Sequence, residues 1–211
     1  RGGASAEAAR RVTGATAAVL AELIDMALLR RLPNDRFEIH ELLRQFAHGK
    51  LHEAEAAALA AAHCAYYCGY LAARNQGLIE HKQVKNCLEV EEELENVRAA
   101  WQYAVAYGEG EALKQTAAPY FHFCQMQSRY LEYAVAARQA AAVLEAGGDA
   151  ACLAQVLVYC AWMLIRIGRF EEAERGAHDQ HQPVWGVGAG TEVWHGFAPP
   201  GAVYHSQCHL G

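Results

Sequence analysis

At 211 residues the chain is long enough for one large or two small domains with a real core. Its net charge of −6 is uneven: residues 1–52 carry eight Lys/Arg against six Asp/Glu, residues 53–175 ten against sixteen, and 176–211 none against two. An acidic helical bulk is a poor candidate for wrapping nucleic acid and favours protein partners. No apolar run reaches the ~18 residues of a membrane span, and no signal pattern opens the chain, so a soluble cytoplasmic protein without membrane contact is expected.

The chain opens at Arg1 rather than Met, which suggests a piece of something larger. Ala6 to Val12 reads as a short helix ending at Gly14, and Thr16 is a plausible N-cap for a second one. In the second, Val19, Leu20, Leu23, Ile24, Ala27 and Leu28 form an apolar face. Were this helix, Ala17–Leu29, to enter a DNA groove, Glu22 and Asp25 would be its only charges, and nothing on it reads base edges. Direct nucleic-acid contact is therefore not expected.

Leu32-Pro-Asn-Asp35 is a turn by composition. It separates Leu28–Arg31 from Arg36–Ile39, which the pattern predicts as a two-stranded ribbon. A helix follows from Glu41 to Leu51, with Leu42, Leu43, Phe46, Ala47 and Leu51 as its apolar stripe. His40 sits between strand and helix, where a side chain can point away from both. Helix, helix, ribbon, helix is the outline of the C-terminal half of a winged-helix domain over residues 1–52.

From Ala54 to Asn75 a long Ala-rich helix is expected, with Leu59, His63, Tyr66, Tyr70 and Ala73 as a packing seam. His63, Cys64 and Cys68 have ligand chemistry but no evident fourth ligand, so they read as an interface. The seven cysteines are scattered and odd in number, as reduced core thiols are. Residues 76–86 read as a polar connection. A helix then opens at Glu89, buries Val90, Leu94, Val97, Trp101 and Ala104, and turns Glu91, Glu92, Glu95 and Arg98 outward. Acidic residues in a first turn suit the helix dipole, so no catalytic carboxylate pair is read there.

Further helices are expected at about 111–126, 129–145 and 151–167, with another from Phe170. Gly168-Arg-Phe-Glu-Glu-Ala173 has the Gly-x-aromatic-x-Glu-Ala turn of a tetratricopeptide hairpin. Ser128-Arg-Tyr-Leu-Glu-Tyr133 is a weaker copy forty residues earlier, read as one repeat of 34 plus an insertion. The fold class expected is all-α: a winged-helix remnant with a small β-ribbon, a helical region over 53–126 opening the array, and tetratricopeptide-like hairpins over 127–175. Stacked hairpins leave a surface for protein partners.

The tail 176–211 changes character, with seven Gly, three Pro, five His and two Trp. His178, His181, His205, Cys208 and His209 are candidate metal ligands by type and spacing. A disordered natural tail, or residues that are not native sequence, are the other readings. Val187-Gly-Ala-Gly190 lacks the rest of a phosphate loop.

Residues 1–175 resemble the bacterial signal-transduction ATPases with numerous domains, regulators related to NB-ARC proteins. Ile39-His40-Glu41-Leu42-Leu43-Arg44 looks like the apolar–His–acidic motif that closes the family's winged helix, with Glu41 where many relatives have Asp. Glu91-Glu-Glu-Leu-Glu-Asn-Val-Arg-Ala-Ala-Trp101 is similar to the opening of its helical-repeat region. The resemblance implies that His40 senses the phosphate of ADP in an intact parent and that an upstream ATPase module is a partner. No Gly-x-x-x-x-Gly-Lys-Ser/Thr loop occurs, so this chain is expected to be no enzyme and to hold no cofactor itself; ADP or ATP belongs to the parent. The implied function is autoinhibition and signal or partner sensing. The alternatives are a standalone helical scaffold with no nucleotide link, or a metal-binding protein acting through its tail.

Overall fold

The computed structural model describes residues 3–80 and 83–178. It is predominantly helical, with one small antiparallel sheet of order β1-β3-β2. The first part runs β1 (Ala4–Ser5), α1 (Ala6–Thr13), α2 (Ala17–Asp25), β2 (Arg30–Arg31), β3 (Arg36–Glu38) and α3 (Glu41–His48). The expected ribbon is present: Arg30 faces Glu38 and Arg31 faces Phe37. It gains a third strand the sequence did not announce, with Ala4 facing Phe37 and Ser5 facing Arg36. Two residues are too short to carry a period-two pattern, so β1 is defined only by its partner. Gly3, at φ 72°, turns the chain onto β3; a Cβ there would stand 2.7 Å from the Phe37 carbonyl oxygen.

Caps follow the local chemistry. Ser5 and Thr16 accept hydrogen bonds from the backbone N–H groups of Ala8 and Val19, and Gly14 ends α1 in the left-handed region. The helix expected to reach Leu51 stops at His48, and its stripe is not core: Leu42 and Phe46 are largely exposed.

The remaining helices are α4 (Glu53–Ala72), α5 (Asn75–Ile79), α6 (Gln83–Glu92), α7 (Leu94–Tyr107), α8 (Gly110–Met126), α9 (Tyr130–Ala146), α10 (Ala150–Arg166) and α11 (Phe170–His178). The polar connection expected at 76–86 in fact carries α5 and the start of α6, which buries Cys87 and Val90. In α4 the buried stripe is Cys64, Tyr67, Cys68 and Leu71, one position on from the seam read in the sequence; His63, Tyr66 and Tyr70 are only half-buried. An Ala-rich helix is apolar on every side, so periodicity could not choose the face.

Val90, Leu94, Val97, Trp101 and Ala104 are buried as expected. They do not share one helix, because the chain breaks between α6 and α7 at Glu93. That break turns the Glu93 carboxylate inward, although its neighbours Glu91, Glu92 and Glu95 are exposed.

From Gly108 onward the helices form a regular array. Gly108, Ser128, Gly148 and Gly168, spaced twenty residues apart, all have positive φ, between 55° and 74°. Each ends a helix in the same way. The N–H groups of Glu109, Arg129, Asp149 and Arg169 donate to the carbonyls of Ala104, Cys124, Leu144 and Leu164 at 2.8, 2.8, 3.2 and 2.9 Å. This is the Schellman closure, which ties the last orphan carbonyls of a helix to the following turn. The two-helix unit is therefore forty residues, not 34 plus an insertion, because α8, α9 and α10 are each 17 residues long. Ion pairs repeat at the same interval: Arg98 meets Glu132 at 2.6 Å and Arg138 meets Glu172 at 2.7 Å. α7, α9 and α11 thus form one laddered layer, with α8 and α10 behind it.

Candidate functional site

His40 follows β3 and precedes α3. Its backbone is extended (φ −61°, ψ 137°), and its Nδ1 accepts the Leu42 N–H at 3.3 Å. The imidazole is thus an N-cap, a role more often taken by Ser, Thr, Asp or Asn. A neutral ring whose Nδ1 accepts carries its proton on Nε2, so the exposed side of His40 presents a donor. Glu41 also bonds along the helix. Its carboxylate takes the Arg44 side chain at 2.6 and 2.8 Å and the Gln45 amide at 2.9 Å.

Four residues before His40, Arg36 leaves the sheet and enters the helical core, where it is 6% exposed. Its guanidinium makes a two-pronged ion pair with Glu93; one prong, Nη2 to Oε2, is 3.0 Å, and the other joins Nη1 to Oε1. Tyr67 donates its hydroxyl to Glu93 Oε2 at 3.2 Å, and Asn96 Nδ2 donates to the same oxygen at 2.7 Å. Asn96 Nδ2 also reaches the Gly3 carbonyl at 2.9 Å, and its Oδ1 lies 3.4 Å from His63 Nε2. One buried carboxylate thereby joins the sheet to α4 and α7.

The charges at this joint follow from burial and pairing. The bond to Glu93 holds the Arg36 guanidinium above its ordinary pKa. Burial, then the Glu93 charge, pushes the Tyr67 hydroxyl far up, so it acts only as a donor. Burial lowers the His63 pKa, opposed in part by the Asn96 bond, which also assigns the proton to Nε2. A cavity of about 670 Å³ opens beside the joint, walled by Arg36, Asn34, Tyr66, Tyr70, Arg74 and Glu92. Arg74 lies 3.4 Å over the Tyr70 ring and donates to Glu89 at 2.8 Å.

The sequence singles out His40 but gives no sign of Arg36 or Asn96. The one available signal was Glu93, whose place in the run Val90-Glu-Glu-Glu-Leu94 puts one of three acids on the apolar side. Cys64 and Cys68 come together, Sγ to Sγ 3.8 Å, but His63 turns to Asn96 instead. Burial raises both thiol pKa values, that of Cys68 to about 12, as for thiols packed in a helix interface. Among the described residues no three His, Cys, Asp or Glu side chains are grouped to hold a metal. Of the tail candidates, His178 ends α11, while His181, His205, Cys208 and His209 lie outside the described residues. No helix among the described residues is long and apolar enough to cross a membrane.

The site is a histidine-capped strand–helix corner tied to a helical array by one buried ion pair. The chain matches no protein family, no curated protein and no solved structure.

Proposed function

We propose that this chain is the regulatory and partner-binding portion of a nucleotide-dependent signal-transduction ATPase. Residues 1–52 would be the end of its winged-helix domain and the forty-residue hairpins a tetratricopeptide-like array. The observation that carries this reading is His40: its Nδ1 is committed to the Leu42 N–H, which leaves Nε2–H as an outward donor of the kind a terminal phosphate accepts. It lies four positions from Arg36, whose pairing with Glu93 would transmit a shift of the corner to the array. Bound ADP would hold the corner closed, and a protein partner on the array would oppose it.

The test is His40→Ala in the full-length gene product. Retained ADP after gel filtration should fall and basal ATP turnover should rise. Unchanged ADP retention would overturn the phosphate role and leave the standalone scaffold, the reading favoured by the continuous core that runs from α4 to α11.

A further inference from the structure

Helices α2 and α3 stand apart from the packing that holds the other helices. α3 buries no residue, α2 buries only Leu20, and neither packs closely on another helix. Helices of eight and nine residues fall short of the ~12–15 at which an isolated helix becomes even marginal in water. Both therefore need a surface to lie on.

Their outward faces are complementary. On α2, Val19, Glu22 and Met26 recur at i, i+3 and i+7, with Asp25 beside them, all exposed. On α3, Leu42 and Phe46 lie one turn apart and exposed, and Lys50 follows just past its end. Leu42 and Phe46 are 68% and 65% exposed, and the Lys50 ammonium lies 5.2 Å over the Phe46 ring. The first face is apolar and acidic, the second apolar and basic. Glu22, Asp25 and Lys50 have no ion-pair partner among the described residues.

We propose that two copies of this chain pair through these faces, α3 of one copy lying on α2 of the other. A two-fold axis makes the contact twice, so each copy's acidic face meets a basic one. Within one chain the two faces do not pack together. A second copy covers both at once, whereas an unrelated partner would have to match one acidic and one basic face separately. Val19, Met26, Leu42 and Phe46, all well exposed, are the large apolar side chains that the pairing would cover. The pairing needs neither His40 nor a nucleotide, but it requires that the rest of the proposed winged-helix domain leave these two faces open.

Sedimentation velocity of the 211-residue chain, from low to high micromolar, tests it. The expected result is a concentration-dependent dimer that Phe46→Glu weakens about 100-fold, as loss of a central aromatic anchor does. Phe46 is exposed, so helical circular dichroism should not change; Leu42→Lys is a second probe of the same face. Glu22→Lys should also weaken the dimer, and adding Lys50→Glu should recover it. A chain that stays monomeric throughout would overturn the proposal and assign the face to another segment or partner. So would a dimer indifferent to Phe46→Glu, or a charge swap that fails to restore association.

Discussion

Arg36 and Glu93, 57 positions apart, form a buried ion pair whose side chains are 8% and 5% exposed. Glu93 accepts from Arg36 twice and from Tyr67 and Asn96 once each, three of the four bonds falling on Oε2. Such a carboxylate is tolerated only while its counter-charge is present.

Arg36→Ala should therefore destabilise the fold by about 3–5 kcal/mol, because it strands a buried charge. Replacing both partners with apolar residues, Arg36→Met with Glu93→Leu, should recover most of that loss. Urea unfolding of the three variants measures it. A single-variant loss below ~1 kcal/mol would mean that the pair behaves as a surface one.

Ser128 holds φ 55° at a position where the equivalent turns use glycine. A side chain in that region costs about 1 kcal/mol, and the helix closure itself does not need the serine. Ser128→Gly should raise stability by roughly that amount. Thermal unfolding checks it, and a lowered midpoint would show that the Ser128 hydroxyl near Tyr130 matters more than the backbone.

Trp101 is 3% exposed and lies 5.2 Å from the Tyr120 ring, centroid to centroid. Trp101→Ala should cost about 3–5 kcal/mol from lost burial and the cavity left behind. Its Nε1–H is buried without an acceptor among the described residues. Trp101→Phe should accordingly cost clearly less than truncation, since it removes an unmet donor along with some packing. Equal losses in the two variants would count against this packing account.

His122 is 7% exposed, edge-on to the stacked Phe121 and Tyr159 rings, and burial lowers its pKa to about 4. The unfolded chain titrates near 6.5, so between these values it binds a proton that the folded chain does not. The neutral ring's contribution is complete above ~6.5 and is lost as pH falls toward 4, on the order of 3 kcal/mol in all. His63, also lowered by burial, acts in the same direction. His122→Phe should flatten the stability profile across that window. A profile with unchanged slope would show that the ring is charged in the folded protein.

Much of the architecture could be read locally because caps and turns are local events. Ser5 and Thr16 cap their helices with their own side chains, and Gly168 and Gly148 stop theirs through left-handed turns within a few residues. The apolar residues of α7 are set off by polar ones, so its buried face was legible; α4, rich in alanine on every side, left its face open by one position. His40 was visible for the same reason: it marks the corner between two short elements.

The amino-acid sequence by itself determined that this is an Ala-rich helical chain with one small ribbon, where most helices stop, and that the cysteines of its helices, from Cys64 to Cys160, are core thiols. Spacing, caps and glycines act within a turn or two of chain, so they need no fold to be read. Only the tertiary structure decided that Ser5 and Ala4 pair with β3, that Glu93 alone among its acidic neighbours turns inward to Arg36, and that the repeat is forty residues long. It also decided that Leu42 and Phe46 face solvent. A buried ion pair across 57 positions leaves no periodic trace, because its stability comes from desolvation and geometry that exist only once the two segments have met.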